Sequence, residues 1–268
     1  MSDLPSIDRP SSARIYDYAL GGSNNYAIDR EFAKRQFELL PDLPRAMRSN
    51  RAFIGRAVKF ALDQGIRQFI DIGSGLPSQG QAHEIADSIV PGEARVVYID
   101  KEPIAHAHSK ILLGEQADPE RHEAIVADFS DIAGLWQAVQ DTGVIRPSEP
   151  TALLVTAILH FFFPEQEPEK ALEFCRDRLA PGSLLVLTHG SNELENEGAT
   201  EVEANYTQTT DPIYLRSRDE FSSFFGDWPL VEPGLVWAVE WRPDGQEEEW
   251  WDGNSARCYY LAGVAVKS

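Results

Sequence analysis

The sequence has few cysteines and few basic residues for a chain of 268 residues. Its two cysteines, Cys175 and Cys258, lie far apart without a neighbouring cluster of ligand residues, so the sequence predicts neither a disulfide framework nor a metal site. Lys and Arg total 24 against 43 Asp and Glu, which gives a formal net charge of −19. Because so acidic a surface repels phosphate backbones and anionic lipid headgroups, we expect no nucleic acid and no membrane among the partners.

Long apolar runs are also missing. No segment approaches the roughly 20 apolar residues that cross a bilayer, and the first residues lack the apolar core of a secretory signal. We therefore expect a cytoplasmic protein. The 43% hydrophobic and 25% charged residues are typical of a globular chain that is long enough to bury a substantial core.

The part of the chain after Gly65 alternates short apolar runs with amphipathic segments. Five runs have the length of strands, at residues 68–72, 95–99, 124–127, 152–158 and 184–188. Near-continuous apolar strands that are linked by helices indicate a parallel sheet covered on both faces. Two further runs, 236–241 and 258–266, are joined by an acidic turn and predict an antiparallel hairpin at the sheet edge. The predicted fold is α/β and Rossmann-like, with a mostly parallel seven-stranded sheet and a terminal hairpin.

The first part of the chain is predicted to be helical. One roughly amphipathic stretch covers residues 29–40, and a clearer one runs from Phe53 to Leu62 before Gly65 ends it. We interpret residues 1–65 as a helical lid segment of the same domain and residues 66–268 as the ligand-binding core.

A glycine turn follows the first predicted strand, in the segment Asp71-Ile-Gly73-Ser-Gly75. Glycines allow the backbone to approach a ligand closely, and open α/β sheets bind ligands at the carboxyl ends of their strands. A dinucleotide fingerprint needs a third small residue; Ser78 stands there, so NAD is disfavoured but stays an alternative, as does a turn without a ligand. Asp71 favours S-adenosylmethionine (SAM), since SAM enzymes commonly place an acid there, close to the methionine ammonium group.

Two more acids end the next two predicted strands. Asp100 ends the second, where a carboxylate can accept hydrogen bonds from both ribose hydroxyls. Asp128 ends the third, where it can accept from the adenine amino group while Phe129 covers the ring. Acids at three successive strand ends form a pattern that favours an adenosine-containing ligand.

Several sequence blocks together resemble a bacterial family, the S-adenosyl methyltransferase family. The resemblance covers nearly the whole chain and is specific in combination. It implies the Rossmann-like methyltransferase fold and SAM as the cofactor, and it does not imply a particular substrate. The blocks are RIYDYALGGSNNY at residues 14–26, NRAF at 50–53, DIGSGLP at 71–77, VYID at 97–100, LHF at 159–161, VEPGL at 231–235 and WRPD at 241–244.

The opening block also has a physical interpretation. Tyr16 and Tyr18 offer aromatic faces that can hold a sulfonium cation, and they stand beside the flexible turn at Gly21 and Gly22. We interpret the block as part of a lid over the cofactor, with ordinary packing of the tyrosines as the alternative. Arg51 is a candidate partner for the SAM carboxylate, or else a surface arginine.

His160 follows the fourth predicted strand, where a general base would lie beside the transferred methyl group. His189 ends the fifth strand and is a weaker candidate. We interpret residues 190–216 as the acceptor wall; its polar Asn192, Glu195, Tyr206 and Tyr214 favour a small polar acceptor. The predicted function is SAM-dependent methyl transfer to a small molecule, with a non-catalytic SAM- or nucleoside-binding regulator as the alternative.

Overall fold

The computed structural model describes residues 8–76, 80–193, 197–245, 251 and 253–268. Within these residues the chain forms nine α-helices and seven strands. The helices are α1 Ser12–Ala19, α2 Ala27–Leu39, α3 Leu43–Asp63, α4 Ala82–Ile89, α5 Pro103–Gln116, α6 Ile132–Asp141, α7 Pro168–Arg178, α8 Glu197–Tyr206 and α9 Arg218–Ser222. The strands are β1 Gln68–Ile72, β2 Arg95–Asp100, β3 His122–Val126, β4 Thr151–Thr156, β5 Leu184–Gly190, β6 Val236–Trp237 and β7 Tyr260–Val266.

The strands form one sheet in the order β3-β2-β1-β4-β5-β7-β6. The first five strands are parallel, and β7 runs antiparallel to both β5 and β6. The prediction of a seven-stranded, mostly parallel sheet with a terminal hairpin is therefore confirmed. The predicted strand at residues 236–241 is too long, because the chain turns into a 3₁₀-helix at Ala238–Glu240 directly after β6.

Side chains of β1 alternate between two hydrophobic clusters. Phe69 packs in a cluster that contains residues of α3, whereas Ile70 and Ile72 pack in the cluster on the other face, with residues of α6 and α7. Because successive strand residues point to opposite faces, Asp71 lies on the Phe69 face. The N-terminal helices cover that face, which brings them near the end of β1.

Helix α3 is tied to the C-terminal part of the chain. Trp241 is fully buried and packs edge-on against Phe53 and Phe60, with ring centroids 5.3 and 5.7 Å apart. The Arg56 guanidinium donates hydrogen bonds to the carbonyl oxygens of Trp241, at 2.9 Å, and Ala238, at 2.7 Å. Helix α3 thus shares one hydrophobic core with the sheet.

Two helices were missed in the sequence. Helix α1 lies in the block interpreted as a flexible lid, and α8 lies in the segment interpreted as an acceptor wall. Both are short, and α8 has a polar composition that gives little local signal. Packing explains α8: the ring of its Tyr206 meets Phe32 of α2 edge-on at 5.4 Å, and Asn205 donates to Gln36 at 3.2 Å.

The cysteines are both reduced and buried. Burial raises the pKa of Cys175 to about 12 and that of Cys258 to about 11, so both thiols are protonated near neutral pH. In the described part of the chain no three His, Cys, Asp or Glu residues are grouped as a metal site. The helices of that part also include none with the length and apolar character needed to span a bilayer.

Candidate active site

A cavity of about 520 Å³ lies at the carboxyl ends of the parallel strands. It lies where the strand order reverses between β1 and β4, the position at which open α/β sheets bind ligands. The cavity brings together nine of the predicted site residues. They are Tyr16, Arg51, Asp71, Gly73, Gly75, Asp100, Asp128, Phe129 and His160.

The glycine turn after β1 has no room for a side chain at Gly73. Gly73 has a φ of +72°, and a Cβ atom built on it would lie 2.1 Å from the Ile158 Cγ2 atom. The backbone N–H groups of Gly73 and Ser74 both donate to the carbonyl oxygen of Ile99, at 2.8 and 3.0 Å. The turn is thereby held against β2, and its backbone forms part of the cavity floor.

Asp100 fixes the same turn from the end of β2. Its Oδ2 atom accepts a hydrogen bond from the Gly75 N–H and its Oδ1 atom accepts one from the Glu102 N–H, both at 2.8 Å. A carboxylate has about four acceptor positions, so the two oxygens retain capacity for two hydroxyl donors. Burial is the largest effect on Asp100 and raises its pKa, while these two backbone donors oppose the rise.

Asp71 is 5% exposed and lines the cavity from the end of β1. Burial raises its pKa to about 6; Arg51 opposes this rise, and the charge of Asp100 adds to it. A carboxylate that is costly to ionise when buried favours a cationic partner, since a nearby positive charge offsets the loss of solvation. The position is therefore suited to an ammonium group.

Asp128 and Phe129 follow β3 and line a further part of the cavity. The Asp128 Oδ1 atom accepts from the N–H and the hydroxyl of Ser130, at 2.8 and 2.7 Å, which orients the carboxylate. The Phe129 ring packs edge-on against Phe162 with centroids 5.1 Å apart. A polar acceptor beside a fixed aromatic ring is an arrangement that can hold a planar base.

The opening block contributes less to the cavity than the sequence suggested. Tyr16 lines it, and its hydroxyl donates to the Met47 carbonyl at 2.8 Å. Tyr18, Gly21 and Gly22 are described but do not line it. Tyr18 instead stacks on Phe37 with ring centroids 6.2 Å apart, so it takes the packing role that we had kept as the alternative.

The two glycines shape the turn after α1. Gly21 has a φ of +84°, and a Cβ atom on Gly22 would lie 2.1 Å from the Asp17 Oδ1 atom. Asp17 does line the cavity, and its Oδ2 atom accepts from the Asn24 N–H at 2.8 Å. Gly22 therefore affects the cavity wall through Asp17 and not by direct contact with the cavity.

His160 lies on a 3₁₀ turn, Leu159–Phe161, that follows β4 and lines the cavity. It is 7% exposed, and its Nδ1 atom has no hydrogen-bond partner among the described residues. Burial, with the charge of Arg216, lowers its pKa to about 3, so the imidazole is neutral at physiological pH. A neutral imidazole with a free ring nitrogen can interact with a proton donor in the cavity.

His189 has a structural role. It is fully buried and does not line the cavity; its Nδ1 atom lies 2.6 Å from the Gly190 carbonyl oxygen and its Nε2 atom lies 3.0 Å from the Arg216 guanidinium. Burial, with the nearby ring of His160, lowers its pKa well below the ordinary value. This placement does not favour His189 as a general base.

Comparison with known proteins identifies the family. The sequence matches the family described as S-adenosyl methyltransferase over residues 3–268. The chain belongs to the S-adenosyl methyltransferase family. It is accordingly a SAM-dependent methyltransferase, which decides against the oxidoreductase. Curated proteins provide no match.

Solved structures agree with this assignment. A crystal structure of a DUF574 family protein from Streptomyces avermitilis is 36% identical, with a TM-score of 0.90, and the alignment covers 97% of this chain and 98% of that one. A proposed methyltransferase from Thermobifida fusca is 30% identical, with a TM-score of 0.88 and coverage of 98% and 97%. A structure described as PigF with SAH (S-adenosylhomocysteine) is 19% identical with a TM-score of 0.51, and it agrees in fold alone.

The acceptor wall of the methyltransferase differs from the sequence interpretation. Of the four polar residues named for it, Tyr206 lines the cavity, whereas Tyr214 and the exposed Asn192 do not. Glu195 lies outside the described residues. Besides Tyr206, the segment contributes the polar side chains of Ser191, Thr210 and Asp211 and the apolar side chains of Ala199, Val202, Ile213 and Leu215.

An ion-pair network beside the methyltransferase cavity was also missed. The Arg14 guanidinium is 1% exposed and contacts the buried Asp29 carboxylate at 2.8 Å and Glu102 at 2.8 Å. Ser11 adds a backbone hydrogen bond to Asp29 and a hydroxyl hydrogen bond to Glu102. The network joins α1 and α2 to the end of β2. Its sequence signal is weak, because the three charged residues are separated by up to 88 positions.

A second missed residue is Arg216, which supports the turn that carries His160. It is 3% exposed and donates to the carbonyl oxygens of Leu159, at 3.1 Å, and Phe162, at 2.8 Å. In the sequence it has the appearance of a surface arginine, since nothing local indicates that it turns inward.

Proposed function

We propose that the cavity holds SAM in an orientation set by the three strand-end acids. Asp71 would take the methionine ammonium group and Arg51 the carboxylate. Asp100 would accept from the ribose hydroxyls, and Asp128 with Phe129 would hold the adenine. The backbone at Gly73 and Gly75 would lie against the methionine part, where the absence of side chains leaves room for it.

The convergence of the three acids in one cavity carries this proposal. Asp71, Asp100 and Asp128 come from different strands, and all three line the same space. Asp100 and Asp128 accept hydrogen bonds from backbone N–H groups, so their carboxylates are oriented before a ligand binds. The raised pKa of Asp71 supports a cation as its partner.

We propose further that the reaction is methyl transfer to a small-molecule acceptor. In such a transfer a lone pair of the acceptor forms a bond to the methyl carbon while the carbon–sulfur bond breaks and its electron pair stays on sulfur. Alignment of the three atoms supplies much of the acceleration. His160 would accept the hydrogen bond of the attacking group and take its proton as that proton becomes acidic in the transition state.

The test of SAM binding is calorimetric titration with SAM, S-adenosylhomocysteine and NAD. Both sulfur ligands are expected to bind and to raise the melting temperature, because a ligand selective for the folded state stabilises it. A protein that responds to NAD and to neither sulfur ligand would contradict the proposal.

The proposed lid role of the N-terminal segment has a matched test in Tyr16 and Tyr18. Tyr16 lines the cavity and Tyr18 does not, so only Tyr16 can face the sulfonium group. Tyr16→Leu should weaken SAM by up to about 2 kcal/mol and S-adenosylhomocysteine, which lacks the sulfonium charge, by less, because the cation–π attraction needs that charge. Tyr18→Leu should change neither the affinity for SAM nor the ratio of the SAM and S-adenosylhomocysteine affinities. Equal loss of both ligands in Tyr16→Leu would argue against a cation contact.

A further inference from the structure

One wall of the cavity is mainly apolar and aromatic. Three separate parts of the chain build it: the junction of α2 and α3, helix α8 with the loop after it, and the start of β7. Its side chains include Met47, Val202, Tyr206, Leu215 and Tyr260. Apart from Leu215, which is half-buried, each is at most 7% exposed, so a ligand here would be enclosed by apolar surface.

This wall lies directly beside His160. The Tyr260 ring centroid is 6.4 Å from that of His160. At Gly190, a Cβ atom would lie 2.8 Å from the Leu215 Cδ2 atom and 3.9 Å from the His160 Nδ1 atom. Tyr206 lines the same cavity. The Nδ1 atom of His160, which has no hydrogen-bond partner among the described residues, therefore lies beside aromatic and aliphatic side chains.

Most charged lining residues occur in other parts of the cavity, whereas Asp211 lies on the loop after α8. In the described chain the others belong to α1, α3 and the ends of β1 to β3. Asp211 is neutralised by Lys101 at 2.6 Å. Within the described residues of this wall, Asp211 is the one carboxylate, and its pairing with Lys101 leaves no unpaired carboxylate for an ammonium acceptor. The described residues of the wall also supply no guanidinium for a carboxylate acceptor. The net charge of −19 further disfavours anionic acceptors.

We propose that the acceptor is an uncharged aromatic molecule whose hydroxyl group is methylated, with its ring against this wall and its hydroxyl at His160. The inference rests on the proposed function and names the substrate class of the same site. It replaces the polar acceptor expected from the sequence. Aromatic faces such as Tyr206 and Tyr260 pack well on a planar ring, and a buried charge without a partner would be costly here.

The acceptor hydroxyl, SAM and His160 together account for every bond and proton in the reaction. The hydroxyl oxygen forms the new bond to the methyl carbon, the carbon–sulfur bond breaks, and the products are a methyl ether and S-adenosylhomocysteine. The hydroxyl proton moves to the neutral His160 ring and then to solvent. An ammonium acceptor would first have to lose a proton, and the carboxylate of the described wall, Asp211, is already paired with Lys101.

The experiment compares two probes that differ in one charge. The first is β-naphthol, and the second is the same ring system with an added carboxylate, a hydroxynaphthoate. Binding is titrated on the protein saturated with S-adenosylhomocysteine, and methyl ether formation is followed with SAM by mass spectrometry. We expect β-naphthol to bind at least about tenfold more tightly and to be methylated, since burial of an unpaired carboxylate costs well over 1.4 kcal/mol.

A matched pair of leucine variants locates the binding. Leu215→Asp places a charge in the wall and should weaken β-naphthol by at least about tenfold while S-adenosylhomocysteine binds normally. Leu230→Asp is the control, because Leu230 is 38% exposed and does not line the cavity. Val202→Thr adds a hydroxyl without changing the shape of the side chain and should weaken β-naphthol more mildly, which keeps the test valid if Leu215→Asp does not fold.

Three outcomes would overturn the proposal. They are equal or tighter binding of the hydroxynaphthoate, unchanged β-naphthol binding in Leu215→Asp and Val202→Thr, or no binding of either probe to a protein that binds S-adenosylhomocysteine. Failure to bind S-adenosylhomocysteine would instead contradict the proposed function itself, so the two failures are distinguishable.

Discussion

The cavity has two walls that the chain builds in different ways. The strand-end wall places its acids directly after β1, β2 and β3, where parallel pairing holds each position, and backbone N–H groups orient the Asp100 and Asp128 carboxylates. The apolar wall is assembled from segments that are more than 200 residues apart in the chain, such as Met47 and Tyr260. The first wall is polar and locally determined, while the second exists only after the helices have packed. The contrast suggests that cofactor binding and acceptor choice can be altered separately.

The largest effect is expected at the Arg14 ion-pair network, which joins α1 and α2 to the end of β2 and so connects the two walls. Arg14→Ala would leave the Asp29 carboxylate, which is fully buried, without its cationic partner. Removal of one partner of a buried ion pair typically costs about 3–5 kcal/mol of unfolding free energy. Urea denaturation measures this loss. The exposed Arg48→Ala is the control, and a similar small change in both variants would show that the network contributes little to stability.

Gly73→Ala tests the strand-end wall at the position with the least room. The new Cβ atom would collide with Ile158 and the residue would have to adopt a φ of +72°, so we expect SAM affinity to fall by about a hundredfold, or roughly 2.7 kcal/mol. Gly114→Ala lies in α5 with nothing near its Cβ position and serves as the control. Calorimetric titration of both variants gives the comparison. Normal SAM affinity in Gly73→Ala would show that the turn can shift without consequence.

Asp100→Asn tests whether the carboxylate at the end of β2 binds SAM. It removes the charge and one acceptor while it keeps the shape, and the loss of a charged hydrogen-bond partner should cost about 1.5–3 kcal/mol of SAM binding. The exposed Asp227→Asn changes the same formal charge away from the cavity and should bind normally. Circular dichroism checks the fold, since Asp100 also holds Gly75 and Glu102. Unchanged affinity would leave Asp100 with the structural role alone.

The smallest expected effect is the pH dependence that Asp71 imposes. Asp71 is proposed to hold the ammonium group as a carboxylate, and its pKa is about 6, so SAM affinity should fall as pH drops through 6, by at most about tenfold per pH unit. The free energy of unfolding of the ligand-free protein should change in the opposite direction and fall as pH rises towards 6. The reason is that the folded state binds the Asp71 proton more tightly than the unfolded chain does. Titrations from about pH 5 to about pH 8 test this. Asp71→Asn should bind more weakly and lose the pH dependence, and an identical profile in that variant would exclude Asp71 as the source.

The sequence alone determined the sheet and one wall of the cavity. Five apolar runs predicted β1 to β5, and the acids after three of them fall in one cavity because parallel strands bring their carboxyl ends to the same edge. The glycine turn was readable for the same reason, since the spacing from Asp71 to Gly75 is local. In these places a short segment contains the whole physical cause of its structure.

Only the tertiary structure decided the other wall. Helix α8 has little local signal, and it forms a wall because Tyr206 and Asn205 find partners on α2. Tyr18 and Tyr16 are alike in sequence, yet α1 directs one to Phe37 and the other to the cavity. Burial of Arg216 and the pairing of Arg14 with Glu102 likewise depend on contacts between distant residues. Side-chain direction, burial and charge pairing are set by packing, and packing is not encoded within any one segment.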